Sequence, residues 1–225
     1  TMTPHPGGQA VPLWESLAPD VVFALAPIPD AQFEAIRATG AATIIPGRDE
    51  AVVSDELHFA DGPRLQVAHL IERGCRRIAF AGSTDARLAS LVADRRALAD
   101  ATHRELTGGP LAASADLDET DAAARVGEWV ADGVDGVVAY NDDIAALVLG
   151  AALRQGIAVP DRLAVVGHDD SPLARLLVPG LSSVRVDTAG LGRFLAELAL
   201  SRAGEGDPPA AGPEATSELV RRETS

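Results

Sequence analysis

The sequence contains no lysine: all 19 of its basic residues are arginines, and they are outnumbered by 33 acids, so the formal net charge is -14. A chain of that sign repels polyphosphate, and this segment is not expected to grip DNA by itself. Cysteine is limited to Cys75, which excludes an internal disulfide. With no paired Cys/His spacing to suggest zinc, neither a metal nor a cofactor is expected, and a reducing cytoplasm is the expected setting. Residues 1–9 lack the basic start and apolar run of a secretion signal, and no apolar stretch approaches the roughly 18 residues of a membrane span. Aromatics make up only 4% of the chain, so surfaces for stacking a ring are few. Hydrophobic residues still reach 47% of 225 positions, enough for a substantial core.

What is there is a rhythm of short β-branched runs, turns and amphipathic segments of helical length, which marks an α/β protein with parallel sheets. Strands are expected over 20–25, 42–45, 76–81, 135–140, 163–167, 183–186 and 217–221. Helices are expected over 30–39, 61–73, 88–105, 121–131, 144–155 and 189–202. Gly40, Gly74 and Gly156 stand where three of these helices end, and a glycine there supplies the left-handed closing turn. Pro160 stops any continuation of the third, residues 107–110 break the chain, and 204–212 form a Pro/Gly loop.

Ligands of an open parallel sheet bind beyond the carboxyl ends of its strands. Polar residues cluster there as Gly82-Ser83-Thr84-Asp85, Tyr140-Asn141-Asp142-Asp143 and His168-Asp169-Asp170. Ionised Asp accepts two hydroxyl hydrogens and Asn both donates and accepts, which suits a neutral polyhydroxyl ligand. Each residue also has a structural reading. Asp142 and Asp143 can cap the helix that they open, Asp169 and Asp170 can cap a short helix over 171–177, and Asn141 can be a turn residue. Ser83, Thr84 and Asp85 read most simply as turn and cap residues, and Tyr140 as strand-end packing. Arg37, Arg64, Arg95 and Arg96 read as solvated helix faces.

Catalytic signatures are missing. There is no G-x-S-x-G elbow, P-loop or H-E-x-x-H, and a hard cation would need more oxygen ligands than Gly167 to Asp170 offer. His168 beside Asp169 suggests an acid/base pair, but neighbours on a strand point to opposite faces, which separates them.

Three stretches resemble the LacI/GalR-type bacterial transcription regulators: DGPRLQVAHLIERGCRRIAFAGS (61–83), DGVVAYNDDIAALVLGAALRQGIAVPDRLAVVGHDD (135–170) and VPGLSSVRVD (178–187). The closing LVRRETS (219–225) is similar to that family's last strand. The resemblance implies two doubly wound parallel-sheet subdomains of periplasmic-binding-protein-like type. The N-terminal one, over 1–74 plus 188–204, is incomplete, and the C-terminal one covers 75–187 plus 205–225. It implies an effector-binding, homodimer-forming domain without enzymatic activity, holding a sugar or related metabolite in the cleft between subdomains. Operator DNA would be read by a helix-turn-helix head that this sequence lacks. By position, Asn141 and Asp169 match residues that bond effector hydroxyls, and Thr188 stands where an aromatic often lies against the ligand. The family's ligand-bonding arginine falls near Ser90, with Arg87 the nearest substitute. The helix 61–70 and the region of Trp14 are the expected dimer surfaces. Rival readings are a transporter's solute-binding protein, and a hydrolase or isomerase using His168 and Asp169.

Overall fold

The computed structural model describes residues 2–4, 10–12, 17, 19–23, 29–40, 43–45, 61–207 and 217–225. Its packing divides the chain into two units, Thr1–His58 with Thr188–Ala215 and Phe59–Asp187 with Thr216–Ser225. In the first, β1 (Met2–Pro4) pairs antiparallel with β2 (Ala10–Pro12). There β3 (Val21–Phe23) lies parallel to β4 (Thr43–Ile45), with α1 (Asp30–Ala38) between them in sequence. Parallel neighbours require such a crossover. Ile36 is the residue that α1 buries, and Asp30 in its first turn and Arg37 in its last complement the helix dipole.

The second unit runs α2 (Asp61–Glu72), β5 (Ile78–Ser83), α3 (Ala89–Thr107), β6 (Ala113–Leu117), α4 (Ala122–Ala131), β7 (Gly136–Ala139), α5 (Asp142–Arg154), β8 (Ala164–His168), α6 (Pro172–Leu176) and β9 (Ser182–Val186). The chain then enters the first unit as α7 (Thr188–Arg202) and closes in the second as β10 (Ser217–Val220). The sheet order is β10-β9-β8-β7-β5-β6, parallel except for β10 against β9. Helices α2 and α3 pack together, as do α4 and α5. Two such layers explain why β7 and β8 are buried along their whole length, since a parallel sheet covered on both faces reads as an unbroken apolar run. Phe80, Ile78, Leu149, Leu163 and Leu181 are among its largest fully buried apolar side chains. Among the described residues no helix is long and apolar enough to cross a membrane.

Two features depart from the sequence reading. Strand β6 was not expected at all. Its sequence, ASADL, has no β-branched residue, and it forms as the outermost strand through its ladder with β5. The expected boundary after residue 74 lies instead near residue 59, because α2 packs on the larger unit. The reason is visible in Gln66, 1% exposed, whose Nε2 donates to the carbonyls of Ala139 (2.9 Å), Val166 (3.1 Å) and Gly167 (2.8 Å). Amphipathic periodicity announces a helix, not which sheet it joins.

Candidate functional site

In chain order the sheet grows from β5 outward to β6, then crosses back to β7 on the other side of β5. The reversal places a switch point between β5 and β7, where an open α/β sheet leaves a crevice at its carboxyl end. Residues from the ends of β7 and β8 meet one from α3 there. Asn141 caps α5, its Oδ1 accepting from the Ile144 amide at 3.0 Å. Its side-chain Nδ2 has no protein partner among the described residues. Tyr140, 6% exposed, lies under the Arg95 guanidinium, 4.7 Å from the ring centroid. Arg95 also donates to the Tyr140 carbonyl at 2.5 Å and lies 3.6 Å from Asp169 Oδ1. The geometry is that of a cation held over an aromatic face.

Asp169 leaves the strand at φ 96, a conformation rarely adopted by residues other than glycine. That bend swings its Oδ1 to 2.6 Å from His168 Nδ1. The expectation that strand alternation keeps His168 and Asp169 apart is therefore corrected, because Asp169 no longer belongs to the strand. Burial pushes the Asp169 carboxyl up, but its bonds to His168 and Arg95 outweigh this and hold it below the ordinary range. Its side chain is half exposed, and Oδ2 has no partner among the described residues. Arg95 is the member of this cluster that sequence reading did not single out as a site residue. Only 19% of its side chain is exposed, whereas helical position alone suggested a solvated face.

Asp142 and Asp170 serve as tethers within the unit. Asp142, 2% exposed, accepts from the Ser171 amide and the Ser183 hydroxyl, both at 2.6 Å, and so ties α5 to the β8–α6 loop and to β9. Burial pushes its carboxyl up. Its side chain neither caps α5 nor faces a ligand; the cap is Asn141. Asp170 is held by Arg185 and Arg222, and the residue at the N-cap of α6 is Ser171, so neither Asp169 nor Asp170 caps that helix.

Ser83 accepts from the Asp85 amide at 3.2 Å. Arg87 is turned to Asp85, contacting both carboxylate oxygens, and holds that carboxyl down at about 2. Ser90 is exposed on the first turn of α3. The structure thus brings Tyr140, Asn141 and Asp169 together with Arg95, and joins neither Arg87 nor Ser90 to them by a side-chain bond. Thr188 opens α7 in the other unit. Trp14 lies outside the described residues. A groove beside α3 and β6 also contains charge, but its Arg96 pairs with Asp116 and its Asp100 accepts from the Leu111 amide and Arg104. Among the described residues no three His, Cys, Asp or Glu side chains are grouped to hold a metal.

Beneath the cluster, the fully buried His168 ring lies against Gly62 of α2, where a Cβ would collide with Nε2. That nitrogen is sealed from any substrate, which removes His168 as a general base. Gly62→Ala should therefore lower unfolding free energy by about 2 kcal/mol, the usual cost of overpacking. Urea unfolding measures this, and an unchanged midpoint would show that α2 is not seated on the ring.

The family model of the periplasmic binding protein-like domain matches residues 67–225. The chain belongs to that family. Among relatives of this periplasmic binding protein-like chain, the ribose operon repressor of Halalkalibacterium halodurans is 31% identical over 170 residues, 73% of this chain and 50% of that one. The regulator GalR of Salmonella typhimurium (strain SL1344) is 30% identical over 189 residues, covering 80% and 53%. Transcription regulator GntR from Chromobacterium violaceum superposes with a TM-score of 0.70 at 26% identity, covering 95% of this chain and 81% of that one. These relatives are named as transcriptional regulators, not as enzymes. The chain spans about half the length of the curated relatives it matches.

Proposed function

We propose that this chain is the effector-sensing, dimer-forming part of a cytoplasmic LacI-type transcription regulator, taking a small polar metabolite, a sugar above all. Operator DNA is then read by a helix-turn-helix segment elsewhere in the same polypeptide. The observation that carries this reading is the presence at the switch point of three polar groups of different kind, each bonded within the protein yet with hydrogen-bonding capacity to spare. The amide of Asn141 donates, the free oxygen of Asp169 accepts, and the guanidinium of Arg95 adds further donors. A polyol presents hydroxyls that both give and take hydrogen bonds, and such a set matches it. Ser83 and Tyr140 stand at strand ends of the larger unit, and Thr188, the first residue of α7, is a further candidate effector residue. An effector that prefers one conformation of the chain shifts its population, which is all that sensing requires.

Thermal melts against D-ribose, D-galactose, other pentoses and hexoses, polyols, purines and sugar phosphates test the reading. A ligand at a hundredfold excess over its Kd adds about 2.7 kcal/mol by linkage. The expected result is a shift with one sugar class, lost in both Asn141→Ala and Asp169→Ala. A cooperatively folded chain that responds to no compound, or a complete gene without a helix-turn-helix, overturns it.

A further inference from the structure

The effector contacts proposed above leave His168 without a role, yet few residues of the unit are more constrained. Its side chain is fully buried, Nδ1 lies 2.6 Å from Asp169 Oδ1, and Nε2 has no partner and lies against Gly62. A neutral imidazole carries one proton. On Nδ1 that proton makes a charge-assisted bond to the carboxylate. On Nε2 it would be an unsatisfied buried donor, and two acceptors would face each other at Nδ1. The surroundings therefore select the Nδ1–H tautomer. A second proton would meet the same sealed wall at Nε2. Burial holds the imidazole below its ordinary value despite the pull of the Asp169 and Asp142 carboxylates, and Arg95 pushes it lower still.

The consequence falls on Asp169. A residue at φ 96 does not hold that backbone by its own preference, so its surroundings must fix it. The imidazole N–H engages Oδ1, and Arg95 approaches the same oxygen at 3.6 Å.

We propose that His168 is the positioning residue of the effector site: as an Nδ1–H donor it anchors one oxygen of Asp169 and leaves the other to accept a hydroxyl from a neutral polyhydroxyl ligand. This rests on the effector-site reading given above. It also distinguishes the bond from the bulk of the ring, because asparagine places an amide donor near the position of Nδ1 without a ring, whereas phenylalanine keeps a ring without a donor.

Two measurements on the full chain decide it. The first needs no ligand: carboxyl 13C titration of Asp169 in wild type, His168→Asn and His168→Phe, with 15N shifts reporting the imidazole tautomer. The expected result is an Nδ1–H imidazole, an Asp169 carboxyl titrating low in wild type and His168→Asn, and an upward move in His168→Phe. An Nε2–H tautomer, or an Asp169 titration unmoved in His168→Phe, overturns the proposal. The second is calorimetric titration with D-ribose and D-galactose. Affinity should fall about tenfold in His168→Phe and recover to within about threefold of wild type in His168→Asn. The opposite order would show that ring packing, not the hydrogen bond, matters. A wild type that takes up neither sugar sinks the effector reading and the ligand half of this proposal with it, while the titration still decides the bond.

Discussion

Asp170→Asn is expected to lower the unfolding free energy by about 3 kcal/mol at neutral pH, the cost of removing one partner from a largely buried ion pair. The carboxylate is 7% exposed. Oδ1 accepts from Arg222 Nη2 at 2.6 Å, and Oδ2 accepts from Arg185 Nε at 2.9 Å and Nη2 at 2.7 Å. Arg222 also donates to the Leu181 carbonyl and Arg185 to Glu218. The network thus joins β9, β10 and the segment after β10 to the loop that bears Asp169. Asparagine tolerates the φ of 42 at this position, so the substitution isolates the charge from backbone strain.

The same pair gives a pH signature. Burial raises the Asp170 carboxyl, but the bonds to Arg222 and Arg185 outweigh it, and the net direction is downward. A carboxyl lowered in the folded state contributes stability above its unfolded value, roughly 3.9, and that contribution disappears as pH falls through the folded value. Wild type should therefore lose more stability than Asp170→Asn on going from about pH 6 to pH 3. Urea unfolding at both pH values measures it, and equal stability of the two proteins at pH 6 would show that the ion pairs are not formed.

Gln66→Leu is the second large effect, about 3 kcal/mol. The side chain fits the volume, but it removes the donor shared by three carbonyls at the ends of β7 and β8. Buried acceptors left without partners cost about 1–3 kcal/mol each, reduced where another donor is near. Amide exchange should accelerate at Tyr140 and His168, whose amides share peptide groups with the Ala139 and Gly167 carbonyls, more than in α4. Exchange that rises uniformly would argue that Gln66 adds only global stability and does not hold the site's floor.

Much of this was legible from residues. Unbroken apolar runs announced β5, β7 and β8, helical periodicity announced α3 and α5, and Asn141 and Asp169 stood out because polar residues end apolar strands. Strand β6 was not legible, since Ala, Ser and Asp carry little β preference and the ladder with β5 is what makes them a strand. Arg95 was not legible either. Its recruitment depends on α3 crossing the sheet so that one helical arginine reaches Tyr140 and Asp169, while Arg96, one residue on, pairs with Asp116.

By itself, then, the sequence determined the α/β class, the parallel sheet, the family and the strand-end polar residues, because periodicity and local motifs are properties of contiguous chain. Tertiary structure alone decided that α2 belongs to the larger unit, that Asp142 and Asp170 are tethers rather than caps or ligands, and that His168 meets Asp169. Those outcomes depend on burial and on partners far away in the chain, such as Gln66 with Gly167 or Asp170 with Arg222. A single backbone angle at Asp169 reverses what strand alternation would predict.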